Sequence, residues 1–447
     1  RPLLNEILLE LERLSAETDF EFITNHLAQD VPSRLTFSSY PEEDSVINKY
    51  NYCYACESKE EINIVRSPSQ SSVSICILPE ESHRITKRVE SKNGHLVIDC
   101  PIPQGLLTNI PHSNTKEFTH LRYTACTSDS GSFKTENFML RQIEYEPLRQ
   151  TDLFILITIN DDEDETHLSR TLHGIMKNVA YFCSPENPET WGKDGWKKVV
   201  ICIISNGRDN INNRILAYLT VLGAYQDGVA KALVDNKLVE AHIYEYTVQI
   251  PIQSLEDTVD MESKDYGVVP TQILFCLKEK RKDKADTYQW FFNAFCPILN
   301  PKICILIEAG IKLGDKSIYD LWKSFSARPQ VAGVCGQINI MNNIGWIKLL
   351  NPIVAAQIFK HKLSYIIDMP FESAFGYITS MPEGFCAYRY PALQNITEHT
   401  EDRVFGFELI TKPDCSWILH YEKSVQVEKY IPEDLTKFKQ KQICLIN

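Results

Sequence analysis

Three short runs of unbroken apolar residues organise the middle of this chain. They read "DLFILITI" at 152–159, "KVVICII" at 198–204 and "KICILI" at 302–307. Each has the length and the β-branched content of one strand, and none alternates with polar residues. That pattern predicts strands buried on both faces of a sheet. Between the first two, Leu168, Leu172, Ile175, Met176, Val179 and Phe182 recur at helical spacing and predict an amphipathic helix. Gly, Pro and Asn punctuate the joins, as in "SPENPETWGKDGW" at 184–196. Strands alternating with helices predict an α/β domain with a mostly parallel central sheet, and such sheets bind ligands outside the carboxyl ends of their strands.

Each apolar run gives way to polar or acidic residues: "NDDEDE" after the first, "SNGRD" after the second, "EAG" after the third. A solvated turn explains any one of them. Their recurrence on a single sheet edge points to a shared site. No Gly-x-Gly-x-x-Gly or Walker loop is present, so ordinary dinucleotide and P-loop binding lack support. An acidic edge without a glycine cradle suits a phosphate held through a divalent metal, which takes carboxylate oxygens. A nucleotide-sugar transferase has that need.

The flanks are less regular. Leu3, Leu4, Ile7, Leu8, Leu11 and Leu14 lie on one face of a predicted helix at 2–14, suited to packing on its own domain or to pairing two chains. Residues 30–90 mix Ser, Pro and acidic residues with short strand-like pieces such as "SVSICIL". The pattern sharpens from about residue 150 onward. A net charge of −13 argues against a general nucleic-acid partner, which needs clustered Lys and Arg. Many of the 14 cysteines, including Cys76, Cys202, Cys276 and Cys304, sit inside apolar runs, as reduced buried thiols do. Cys53 and Cys56 in "CYAC" could begin a zinc site, but no second pair at zinc-finger spacing accompanies them. No apolar run reaches the roughly 18 residues of a membrane span.

One stretch poses a question that the residues alone leave open. In "TEDRVFGFEL", at 400–409, Glu401, Asp402 and Arg403 stand directly before Val404, Phe405 and Phe407. Such a cluster is either a solvated loop or a catalytic carboxylate held at the edge of a core.

A series of longer motifs bears on that choice. They are "NGHLVIDCPIP" (93–103), "EFTHLRYTACT" (117–127), "TWGKDGWKKVVICIIS" (190–205), "AHIYEYT" (241–247), "FCLKEK" (275–280), "WFFNAF" (290–295), "SIYDLWKSF" (317–325), "NPIVAAQIFKHKLS" (351–364), "ESAFGYITSMPEGFCAYRY" (372–390) and "EDRVFGFEL" (401–409). In this order and spacing, from about residue 84 to 434, the chain resembles fungal chitin synthases, glycosyltransferases of family 2. The resemblance implies a GT-A fold, UDP-N-acetylglucosamine as donor, a growing β-1,4 chitin chain as acceptor, inversion at the anomeric carbon and a divalent metal, Mg or Mn. It divides the chain into an accessory region at 1–83, an N-terminal domain at 84–150, the GT-A catalytic domain at 151–434 and a tail at 435–447. It also implies residence at the cytosolic face of the plasma membrane. Asp402 matches the general base that takes the acceptor's 4-hydroxyl proton, with Glu401 and Arg403 beside it. Burial and neighbouring charge can raise a carboxylate's pKa toward such a task. Donor contacts are implied for Asp162, Glu163, Asn206, Arg208, Gln272 and Lys278, and a metal contact for Glu308. For Lys278, "KEKRKDK" at 278–284 equally suits a solvated charged turn.

The chain departs from the family pattern at the site. Glu308 in "EAGI" stands where the family has Asp, and Asn206 in "SNGR" replaces another Asp. "NDDEDE" replaces Tyr-Asn-Glu-Asp, and Gln337 in "GQI" replaces Glu. The segment "PALQNITEHT" is short, and "QKQIC" at 440–444, with Lys441, stands for Gln-Arg-Arg-Arg-Trp, after which the family's transmembrane helices are expected. Two functions of different class are open to such a chain. One is a chitin synthase whose membrane part is not in this sequence. The other is a degenerate relative that keeps the fold and acts as a nucleotide-binding, regulatory or assembly partner, as a homodimer or paired with a full-length chitin synthase. A remnant without function is a third outcome.

Overall fold

In the computed structural model, the three apolar runs become neighbouring parallel strands. Residues 88–92, 95–107, 110–111, 114–159, 163–187, 189–249, 267, 269–280, 284–340, 351–382, 384–394, 409–411 and 416–430 are described. The predicted helix at 2–14, the region 1–83, Cys53, Cys56 and the tail at 435–447 lie outside them. In chain order the strands are β1 (Arg88–Lys92), β2 (His95–Pro101), β3 (His120–Cys126), β4 (Leu153–Ile159), β5 (Val199–Ser205), β6 (Leu233–Val234), β7 (Lys237–Leu238), β8 (Ala241–Val248), β9 (Thr271–Lys278), β10 (Ile303–Glu308), β11 (Lys312–Leu313), β12 (Val331–Ile340), β13 (Phe385–Arg389) and β14 (Ile418–Lys429). The longer helices are α1 (Glu165–Cys183), α2 (Asn213–Val221), α3 (Ser317–Ala327) and α4 (Pro352–Leu363).

Twelve strands form one sheet in the order β1-β2-β3-β8-β9-β5-β4-β10-β13-β12-β14-β11, and β6 and β7 pair as a separate hairpin. The parallel sheet predicted from the apolar runs is its centre: β9, β5, β4 and β10 run in one direction. Antiparallel strands extend it through β8, β3, β2 and β1 on one side and through β13 and β12 on the other. Every residue of β4, β5, β8 and β9 is buried. Cover on both faces is what makes these segments read as continuous apolar runs.

α1 supplies part of that cover, as its spacing predicts. Leu168, Leu172, Ile175, Met176, Val179 and Phe182 are all buried. Its first turn is closed by a capping box: the Asp164 carboxylate accepts from the amides of Thr166 and His167, and the His167 ring reaches back to the Asp164 amide. Asn178, buried in the middle of α1, accepts from the Ile318 amide at 2.9 Å and donates to the Gly314 carbonyl at 2.9 Å. These bonds tie α1 to the start of α3. Cys202, Cys276 and Cys304 are buried free thiols, as expected, and burial pushes the first two thiols up.

Candidate functional site

The parallel registers align the strand ends that the sequence singles out. Glu308 on β10 pairs with Thr158 on β4, Ile159 with Ser205 on β5, and Ser205 with Leu277 on β9. One sheet edge therefore carries, side by side, Glu308, Glu163 just ahead of α1, Asn206 and Arg208 after β5, and Glu279 after β9. β8 runs antiparallel to β9, so His242 near its start joins the same edge.

At one end of this edge the Glu308 carboxylate is ion-paired with the Lys429 ammonium at the end of β14. Both side chains are mostly buried. The Glu308 amide donates to the Gly384 carbonyl at 2.9 Å. Gly384 has φ +100°, and a Cβ there would stand 3.0 Å from the Glu308 carboxylate and 3.2 Å from Lys429 Nζ. Only glycine lets the chain pass this close to the pair. The turn after Glu308 rests on α1: the Thr171 hydroxyl donates to the Ile311 carbonyl at 3.0 Å, and buried Arg170 donates to the Gly310 carbonyl at 3.1 Å. The Arg170 guanidinium also lies over the Tyr430 ring, next to Lys429.

Toward the other end, Arg208 donates to Glu279 at 2.9 Å, and His242 Nε2 meets the same carboxylate oxygen. His242 Nδ1 lies 2.8 Å from the Tyr123 hydroxyl, which accepts from the Lys231 amide at 3.1 Å. One arrangement satisfies every group. Lys231 N–H donates to Tyr123, Tyr123 O–H donates to Nδ1, and Nε2–H donates to Glu279. That chain needs a neutral imidazole. Burial does hold His242 below its usual pKa, opposed by the Glu279 carboxylate. Burial works against ionisation of Glu279, but hydrogen bonds from His242 and Arg208 outweigh it and leave the carboxyl below its usual range. Arg208, 40% exposed, is thus a braced cation at the rim of the edge.

Two of the donor contacts implied by resemblance are placed elsewhere. Gln272 sits at the start of β9, about 20 Å from its carboxyl end at the usual rise per residue. Its amide donates to the carbonyls of Trp196, Lys197 and Val199 and accepts from Arg149 at 2.9 Å. Lys278 is buried and bonded to Asp286 at 2.8 Å and Thr287 at 3.0 Å, under the helix that follows β9. It is neither a solvated turn residue nor part of the edge. Side chains alternate along a strand, so the next residue, Glu279, is the one directed to the site. Gln337 remains within β12, its amide donating to Asn339 at 2.8 Å. Glu401, Asp402, Arg403, Asp162 and Lys441 lie outside the described residues.

Among the described residues, no three His, Cys, Asp or Glu side chains come together as a cation site. Glu308, the implied metal contact, faces an ammonium group. The described donor set therefore does not fit a divalent ion.

Comparison with known proteins adds to this geometry. The family described as chitin synthase-like glycosyltransferase domain matches residues 153–400 and 398–447, and the chitin synthase N-terminal family matches 84–152. Chitin synthase 2 of Rhizopus oligosporus is 44% identical over 384 residues, covering 79% of this chain and 44% of that protein. Chitin synthase A of Ampelomyces quisqualis is 45% identical over 390 residues, covering 80% of this chain and 42% of that protein. The chain thus spans less than half the length of these relatives. Among solved structures, the mannosyltransferase PcManGT from Pyrobaculum calidifontis, in complex with GDP-Man and Mn2+, aligns with a TM-score of 0.36 at 8% identity. That alignment covers 66% of this chain and 60% of the mannosyltransferase.

Proposed function

Because the chain belongs to the chitin synthase-like glycosyltransferase family, we propose that it carries a transferase domain specific for UDP-N-acetylglucosamine. The acceptor is the 4-hydroxyl of a growing β-1,4 chitin chain. The observation that supports this reading is the alignment of Glu308, Asn206, Arg208 and Glu279 along one carboxyl edge of the parallel strands. In the reaction, the hydroxyl oxygen attacks the anomeric carbon from the face opposite the diphosphate. The bond to the diphosphate breaks, UDP leaves with the electron pair, and a carboxylate takes the hydroxyl proton. Asp402 is assigned that last role by its motif, with Glu401 and Arg403 beside it. Arg208, braced by Glu279, is a hydrogen-bonding cation for the diphosphate. Asn206 and Glu163 neighbour it on the edge, and Asp162 directly precedes Glu163 in the sequence.

A second reading is favoured by one observation, the ion pair between Glu308 and Lys429. The carboxylate assigned to a metal is already neutralised by a residue of the chain. A relative built this way would bind nucleotide without turnover and act as a regulatory or assembly partner. In either reading the chain divides near residues 83, 150 and 434, and functions at the cytosolic face of a membrane. Among the described residues no helix is long and apolar enough to cross one.

Calorimetry with UDP-N-acetylglucosamine, with and without Mn2+, and UDP release with a chitin-oligomer acceptor separate the two. Binding with release that Asp402→Asn abolishes supports the transferase. Binding without release supports the partner. Absence of binding at any metal concentration sinks both.

A further inference from the structure

β14 carries an ammonium group to the carboxylate that the family pattern assigns to a metal. Side chains alternate along a strand, so Val425, Val427 and Lys429 share one face of β14, and both valines are buried. Lys429 ends that apolar face with its side chain only 18% exposed, and the Glu308 side chain it meets is 15% exposed. Charges held this far from water need partners of opposite sign. The strand end is fixed in register on both sides: Lys429 pairs with Ile340 of β12, and Glu428 with Lys312 of β11. The ammonium is therefore built into the edge.

A divalent ion at Glu308 would stand at contact distance from this ammonium, and the two positive charges would repel each other. To admit the ion, Lys429 would have to leave its carboxylate from a strand end that the sheet holds in place. The ammonium can itself meet a diphosphate. It is a compact point charge with three N–H donors, and Glu308 Oε2 accepts from it. Arg170 adds a guanidinium beside it, over the Tyr430 ring. Arg208 follows β5, two strands from β10, or about 10 Å at the usual strand spacing. A diphosphate lying along the edge would meet Lys429 toward one end and Arg208 toward the other.

We infer that this chain holds its nucleotide diphosphate without a divalent metal, with the Lys429 ammonium in the position of the ion. The inference rests on the nucleotide-sugar site proposed above and changes what supplies its positive charge. Glu308 is then a positioning residue for Lys429 and not a metal ligand. Lys429 keeps its proton and makes no covalent bond. When the bond to the anomeric carbon breaks, its electron pair stays on the departing diphosphate, and the ammonium stands beside the charge that gathers there.

Calorimetry of the full chain with UDP-N-acetylglucosamine, first in EDTA and then in Mn2+, tests this. The wild type is expected to bind in EDTA, with affinity changing less than about threefold when Mn2+ is supplied. Lys429→Met should lose about tenfold or more in EDTA, the worth of a charge-assisted hydrogen bond. It should regain affinity in Mn2+, because no ammonium then opposes an ion at Glu308. A purely structural ion pair would not trade its loss for a metal requirement. Lys429→Arg, which keeps the charge, should keep metal-free binding. If Lys429→Met does not fold, Lys429→Gln keeps a hydrogen bond to Glu308 without the charge and should show the same trade. Wild-type binding that EDTA abolishes and Mn2+ restores overturns the inference and leaves the proposed site standing. So does metal-free binding that neither uncharged variant weakens. Absence of binding in both conditions overturns the site and the inference together.

Discussion

The two edges of the central sheet use the same residue types to opposite ends. At the amino edge Arg149 forms two hydrogen bonds of 2.7 Å with the Glu117 carboxylate, and Gln272 completes the group. Glu117 also accepts from the Thr247 hydroxyl, and both charged side chains are nearly buried. At the carboxyl edge Arg208 meets Glu279 through a single 2.9 Å contact and stays 40% exposed. A charge pair enclosed on all sides is scaffold. A cation braced from behind and open in front is available to a ligand. Burial and the direction of the remaining bonds decide which, and residue type does not.

The contrast can be broken by exchanging the consequences of mutation. The largest effect should come from the amino edge. Arg149→Met leaves the Glu117 carboxylate buried without its partner, a loss of about 3–5 kcal/mol by analogy with other broken buried pairs. Urea unfolding should show that loss, with nucleotide affinity of the folded fraction unchanged. Next comes Lys429→Met, which removes the ammonium group beside Glu308. Manganese binding, followed by calorimetry, should tighten by roughly tenfold or more, since a carboxylate with no ammonium beside it attracts a hard cation more strongly. Unchanged metal affinity would mean that the ion pair does not guard the carboxylate.

Arg208→Ala should weaken UDP-N-acetylglucosamine binding by about tenfold, the worth of one charge-assisted hydrogen bond, while stability changes by less than about 0.5 kcal/mol. A large fall in stability instead would make Arg208 scaffold and erase the contrast. The smallest effect is on pH dependence. Burial holds His120, His242 and His420 below the ordinary value of 6.5. The unfolded chain therefore binds more protons than the folded one as pH falls below about 6.5, so stability should drop with acidification from there. The depressed Glu279 adds a further loss below its ordinary 4.5. Thermal melts of His242→Asn against wild type, between neutral and mildly acidic pH, should show a shallower decline for the variant.

The 352–374 helix adds a third kind of surface, in which large apolar groups face water without a ligand edge behind them. It differs from α1 in the cover it lacks. α1 buries its apolar stripe against the sheet and the start of α3, whereas Phe359, Ile367, Phe371 and Phe375 are exposed among the described residues.

Much of this was legible in the sequence. Unbroken β-branched runs at 152–159, 198–204 and 302–307 and the spacing of Leu168 to Phe182 required buried strands and a helix, because only those periods hide their apolar groups from water. The motifs also placed the chain in its family. What the sequence could not decide was where residues far apart in the chain would meet. Lys429 reaches Glu308 because β12, β13 and β14 stack in an order that no local pattern encodes. Gln272 and Lys278 belong to one strand with the right motif, yet strand length carries the first to the other edge. The pleat turns the second to the opposite face and leaves Glu279, one position on, at the site. The brace of Tyr123, His242 and Glu279 likewise depends on β3, β8 and β9 lying side by side. Periodicity is a property of neighbours in sequence and can be read one segment at a time. Contact between segments depends on how the strands order themselves in the sheet, and that only the tertiary structure decided.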